Sequence, residues 1–186
     1  MNKSFQQLVK SRRSIRKYLE KPVEREKVLA CLESARMAPS ADFVQPWRFL
    51  VLDEPDLKKI FTDEVFSGIY SSTKFAAKAP VIIVMLAKLD VVANRIGKQI
   101  QGIHYYFIDM GIAGEHIALQ AEEMGLGTCW IGWFNTRKTR KLLNIPRKYK
   151  IVSLMSMGYS KERPSKEKQR KALSEIAWFN KIGKSS

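Results

Sequence analysis

The chain opens on a short amphipathic segment in which Phe5, Leu8 and Val9 share one face of a helix that Ser11 can end. A second helical pattern runs from about Val23 to Met37, with Val28, Leu29, Leu32 and Ala35 falling at i, i+1, i+4 and i+7. Pro39 stops it, because proline cannot continue the hydrogen-bond ladder. Arg48 to Leu52 is a short apolar run that reads as a buried strand, and Asp53-Glu54-Pro55 caps a helix from about Asp56 to Thr62. Residues 63–78 are weakly patterned around Gly68 and Ser71-Ser72-Thr73, which predicts short helices around a loop. Pro80 to Leu86 is the strongest strand signal, apolar on both faces and therefore central in a sheet.

Residues 88–102 are mixed and polar around Gly97, the pattern of a cap or loop. From about Ile103 to Met124 the helical period returns. Gly111, Gly114, Ala118 and Ala121 set small residues along one side, where another helix could approach. Gly125-Leu126-Gly127 ends that helix and leads into a strand at Thr128 to Ile131. Arg137 to Leu143 predicts a short helix ended by Pro146, and Ile151 to Gly158 alternates as a half-buried strand does. The last thirty residues are basic with a late apolar patch, Ile176-Ala177-Trp178-Phe179, which must pack on this core or on a partner subunit. Two helices precede the first strand and the βα units are irregular. The fold class is α+β, or an atypical sandwich, rather than a doubly wound sheet.

Composition narrows the options. A chain of 186 residues with 45% apolar content suits one domain spanning 1–186 with a sizeable core. No apolar run is long enough to span a membrane. The stretch Met1 to Phe5 lacks the apolar region of a secretory signal, so none is expected. Cys31 and Cys129 form no C-x-x-C pair and read as buried, reduced thiols of a cytoplasmic protein. His104 and His116 are the only histidines, and no cluster has metal-ligand spacing, so no metal site is expected. There is no G-x-G-x-x-G after a strand and no phosphate-loop motif. The formal net charge of +15 favours phosphates, whether on a cofactor, a nucleotide or nucleic acid. A nucleic-acid groove would interleave basic residues with exposed aromatics, and Tyr105, Tyr106 and Phe107 have no flanking basic cluster. No specific nucleic-acid partner is expected.

The densest chemistry lies in Ser11-Arg12-Arg13-Ser14-Ile15-Arg16-Lys17-Tyr18, four cations and two serine hydroxyls on a segment between helices. Arginine presents a planar fork matched to phosphate oxygens, and a serine between arginines adds a neutral donor. Taken alone, the segment fits a solvated basic turn as well as it fits a phosphate anchor.

Four separated stretches resemble the FMN-dependent nitroreductase family in order and spacing. They are Arg12-Arg13-Ser14-Ile15-Arg16, then Ala38-Pro39-Ser40-Ala41 with Gln45-Pro46-Trp47-Arg48-Phe49, then Gly125 to Gly132, and finally Met157-Gly158-Tyr159 with Lys168-Gln169-Arg170. The resemblance implies a mixed, largely antiparallel sheet between helical layers, and a homodimer with FMN at the subunit interface. Arg12, Arg13, Ser14 and Arg16 would hold the phosphate and ribityl end, and Lys168 and Arg170 would return from the tail to the same phosphate. Pro39, Ser40 and Ala41 would reach the isoalloxazine from the other subunit. Ile131, Gly132 and Trp133 would lie along the flavin, with a backbone N–H near Gly132 or Trp133 donating to N5. Lys74 falls where some relatives place a lysine at the pyrimidine end.

The implied reaction takes hydride from NADH or NADPH and reduces nitroarenes, quinones or other electron-poor acceptors in a ping-pong cycle, with no dedicated catalytic side chain. Relatives that degrade flavin or remove halogen reductively are the alternative chemistry. Two features depart from the family pattern: Phe43 stands where asparagine is common, and residues 88–102 do not align. The tail from about residue 160 is a candidate for crossing to the partner.

Overall fold

A computed structural model describes residues 4–89, 102–162 and 168–183. The polar stretch at 88–102 lies almost wholly outside the described residues. Helix α1 (Phe5–Ser11) begins with a capping box, in which Gln7 N–H donates to the Ser4 hydroxyl and the Gln7 side chain accepts from Ser4 N–H. Helix α2 (Arg25–Arg36) buries Val28, Cys31 and Ala35 on one stripe. After it come β1 (Trp47–Leu52), α3 (Pro55–Val65), a 3₁₀ helix (Gly68–Lys78) and β2 (Val81–Lys88). The second half runs α4 (Tyr105–Glu123), β3 (Gly127–Ile131), α5 (Thr136–Leu142), β4 (Tyr149–Gly158) and a single helical turn, α6 (Leu173–Ile176).

The four strands form one sheet in the order β1-β2-β4-β3, and every ladder is antiparallel. β2 is central, as its two-faced apolar run predicts. Val81, Ile83, Met85 and Ala87 point into a core shared with α2 and α4, while Ile82, Val84 and Leu86 face one built with α3 and the 3₁₀ helix. Helices therefore cover both faces of the sheet, giving the three-layer α+β sandwich. The small residues of α4 face both neighbours: Ala113 and Ala121 share a core with Val28, Cys31 and Ala35 of α2, while Gly114 faces the sheet. A Cβ at Gly114 would overlap the Trp130 ring and come within 2.7 Å of Met85 Cε, so it is the strand side chains that occupy the notch. α2 also meets α4 through polar contacts, Ser34 Oγ donating to Gln120 Oε1 at 2.9 Å beside the His116 ring.

Residues 14–18 are fixed to this frame by two side chains three positions apart. Ile15 and Tyr18 are buried while Arg16 and Lys17 are exposed. Ile15 N–H donates to Thr128 O at 2.9 Å, making a parallel bridge beside the edge strand β3. The Tyr18 hydroxyl donates to Ile15 O at 2.7 Å and meets Ser156 Oγ at 2.8 Å, and burial pushes its ionisation upward. Removing a hydroxyl that satisfies buried acceptors costs about 1–3 kcal/mol. Tyr18→Phe should therefore lower the denaturant midpoint at unchanged slope, which equilibrium unfolding in urea would read.

Candidate functional site

Where the tail comes back to the body, cations gather. Lys168 Nζ donates to Val9 O of α1 at 2.9 Å. Its ammonium is held below the usual lysine range first by burial, then by the charges of Arg12, Arg13 and Arg170, with Glu115 acting in the opposite sense. Two stretches more than 150 residues apart in sequence thus place four cations within electrostatic reach of one another. Glu115 on α4 receives Arg12 Nε at 3.1 Å, and Arg13 Nη1 donates to Lys10 O at 3.2 Å. Among the described residues, Glu115 set against Arg12, Arg13, Lys168 and Arg170 leaves a surplus of positive charge, which favours an anion of more than one charge.

Arg16 takes a different direction. Its guanidinium lies over the Phe75 ring, 5.6 Å from the centroid. Arg16 and Ser14 both reach the Cys129 thiol, whose ionisation burial raises and those two contacts pull partly back. The predicted basic cluster therefore divides in two: Arg12 and Arg13 join the tail, while Ser14 and Arg16 face β3 and the 3₁₀ helix. Lys74 is exposed on that helix, and its charge lowers the ionisation of nearby Asp63 after the dominant effect of Lys59.

At the end of β3 the chain leaves the sheet. Ile131 is buried in the core, so its side chain is not open to a ligand. A Cβ at Gly132 would meet nothing within 4 Å. Trp133 is 54% exposed and tied to the 3₁₀ helix: its indole N–H donates to Ile69 O, its carbonyl accepts from the Thr73 hydroxyl, and its ring leans on Tyr70. Open space at Gly132 beside the exposed Trp133 suits a flat ring laid against the backbone.

Pro39, Ser40 and Ala41 stand apart from these groups. Ala41 N–H donates to Asp109 Oδ1 at 3.1 Å, whereas Arg12 pairs with Glu115, six residues further along α4. Six residues turn a helix by about 240°, so the two groups occupy different faces of α4. Within one chain, residues 39–41 do not join the cation cluster.

Residues 9–159 match the nitroreductase family model, most of the chain. The chain belongs to the nitroreductase family. This places it in an oxidoreductase family. A putative NADH dehydrogenase/NAD(P)H nitroreductase of Archaeoglobus fulgidus is 30% identical over 160 residues, covering 83% of this chain and 84% of that one. A solved nitroreductase family protein of Clostridium difficile 630 has a TM-score of 0.80 at 31% identity, covering 97% of this chain and all of that one. An FMN-dependent nitroreductase of Clostridium difficile R20291 has a TM-score of 0.75 at 30% identity, covering 94% and 98% of the two chains.

As a nitroreductase-family chain, this one carries partners that its motifs do not reveal. Glu115, Phe75 and Asp109 each touch a candidate residue. Asp109 alone had a legible signal, a lone carboxylate in an apolar helical stretch. Among the described residues no group of His, Cys, Asp and Glu is arranged to hold a metal ion, and no helix is long and apolar enough to cross a membrane. Both cysteines are free and buried, with burial pushing Cys31 up to about 12.

Proposed function

We propose that this chain is an FMN-dependent oxidoreductase working as a homodimer, with NADH or NADPH as electron donor. The observation that carries the reading is the convergence of Lys168 and Arg170 from the tail on Arg12 and Arg13, an arrangement suited to a phosphate monoester. In this reading those four cations hold the phosphate, Ser14 and Arg16 hold the phosphate and ribityl end, and Lys74 lies at the pyrimidine end. The backbone at Ile131, Gly132 and Trp133 lines the ring, and an N–H of Gly132 or Trp133 donates toward N5. A fixed amide dipole there stabilises developing negative charge without a side-chain acid. Bound in this place, FMN would take hydride from NADH or NADPH and pass the electrons to nitroarenes, quinones or other electron-poor acceptors in a ping-pong cycle.

The placement of Pro39, Ser40 and Ala41 on another face of α4 supports a site completed by a second copy. So does the surface. Leu173, Ile176, Trp178 and Phe179 are exposed, with Phe179 92% exposed, so the patch does not pack on its own core. We infer that the tail from about residue 160, once past Lys168 and Arg170, crosses to the partner and covers the patch there. Phe179→Ser combined with Trp178→Ser should shift the protein toward monomer in sedimentation velocity and lower its flavin content in parallel.

The visible spectrum of the purified protein, before and after NADH in the absence of oxygen, tests the whole reading. A flavin spectrum that bleaches is expected. Absence of flavin after incubation with FMN would overturn the cofactor assignment, and a bound flavin that neither NADH nor NADPH bleaches would overturn the donor.

A further inference from the structure

One buried carboxylate has no part in the cation cluster. Asp109 on α4 is 5% exposed, next to the core residues Met110 and Ala113, and its Oδ1 accepts the Ala41 N–H at 3.1 Å. Burial raises its ionisation and the Ala41 contact draws it partly back. A carboxylate is costly to bury unless it is hydrogen-bonded, so its presence in an apolar stretch points to the group it holds.

That group belongs to an unusual turn. Asp42, Phe43 and Gln45 all have left-handed backbones, with φ of 49°, 54° and 47°. Non-glycine residues in this region are strained and persist where the surroundings over-determine them. Most of the ties are local: Gln45 N–H donates to Ser40 Oγ at 2.9 Å, Phe43 N–H to Ser40 O at 3.1 Å, and Arg48 Nη1 to Gln45 O at 3.1 Å. The Asp109 contact differs, because it reaches from a helix 68 residues away and pins the turn to the body of the protein.

We propose that Asp109 is the positioning residue of the 39–45 turn, fixing Ala41 and so the angle at which Pro39, Ser40 and Ala41 meet the flavin of the partner subunit. The inference rests on the flavin reading above. It concerns orientation, since Asp109 itself touches neither cofactor nor substrate.

Asp109→Asn keeps an acceptor oxygen and Asp109→Leu removes it in a similarly branched but bulkier side chain, while Val65→Ala destabilises the opposite core as a control. Asp109→Leu should raise Ala41 amide exchange, change the visible circular dichroism of bound flavin, and weaken FMN binding by about tenfold, whereas Asp109→Asn should stay close to the parent. Rescue by asparagine, with no dichroic change in Val65→Ala, separates orientation from general stability. Equal behaviour of the leucine and asparagine variants, or a dichroic change in the control matching that of Asp109→Leu, would overturn the proposal. If the parent binds no flavin the functional reading fails, and Ala41 exchange in the leucine and asparagine variants still decides whether Asp109 holds the turn.

Discussion

Arg12→Ala together with Arg16→Ala should yield a folded protein that does not retain FMN through purification. Each charge-assisted hydrogen bond is worth about 1.5–3 kcal/mol. Losing two lowers affinity by roughly 10²–10⁴-fold. Arg12 reaches Glu115 beside the tail, while Arg16 lies over Phe75, so the two act in different places. The single variants should each lose part of the affinity, and their effects should nearly add. The fold should survive, because the Arg12–Glu115 pair is partly exposed and such pairs contribute little. Fluorimetric titration with FMN measures all three proteins. An unchanged dissociation constant in the double variant would remove the phosphate assignment.

Gly127→Val should act on the same segment from behind. A Cβ at Gly127 would overlap Ile15 Cγ1 and come within 2.8 Å of Ile15 Cβ. Both positions are buried at the start of β3, so neither can swing into solvent. Overpacking of this kind costs about 1–3 kcal/mol, occasionally more. For a chain of this size that lowers the melting temperature by roughly 2–4 °C per kcal/mol. Because Ile15 lies between Ser14 and Arg16, FMN affinity should fall together with the melting temperature. A variant that melts lower yet binds FMN as tightly as the parent would show that the segment's seat on β3 is irrelevant to binding.

The parts of the fold that were legible in the sequence were those where one physical signal dominated. β2 is apolar at every position from Val81 to Ala87 and is buried on both faces, and α4 carries the helical period across nineteen residues. Boundaries were less readable. α3 runs on to Val65, because Phe61, Thr62 and Val65 are all buried against the sheet, a tertiary reason that local pattern does not carry. The Gly68–Lys78 segment forms one 3₁₀ helix rather than several short helices, and Trp133 O and Lys58 Nζ bond to it from elsewhere in the chain. At the site, residue types were readable and their grouping was not. Nothing local separates Arg13 from Arg16; it is the anchoring of Ile15 and Tyr18 in the core that sets them toward different neighbours. Asp109 is the reverse case, an anomaly visible in the sequence whose partner emerges only when α4 meets the 40–45 turn.

The bridge between Ser14 and Thr128 has a consequence for solubility. β3 is the outermost strand on its side of the sheet, and an uncovered outer strand is a template on which another chain can add. The arginine segment takes up the Thr128 carbonyl and lays charged side chains along that border. A lesion that lifts the segment would then do more than lose a ligand. It would bare the margin of β3 to another strand, and that cover would vanish along with the proposed grip on phosphate.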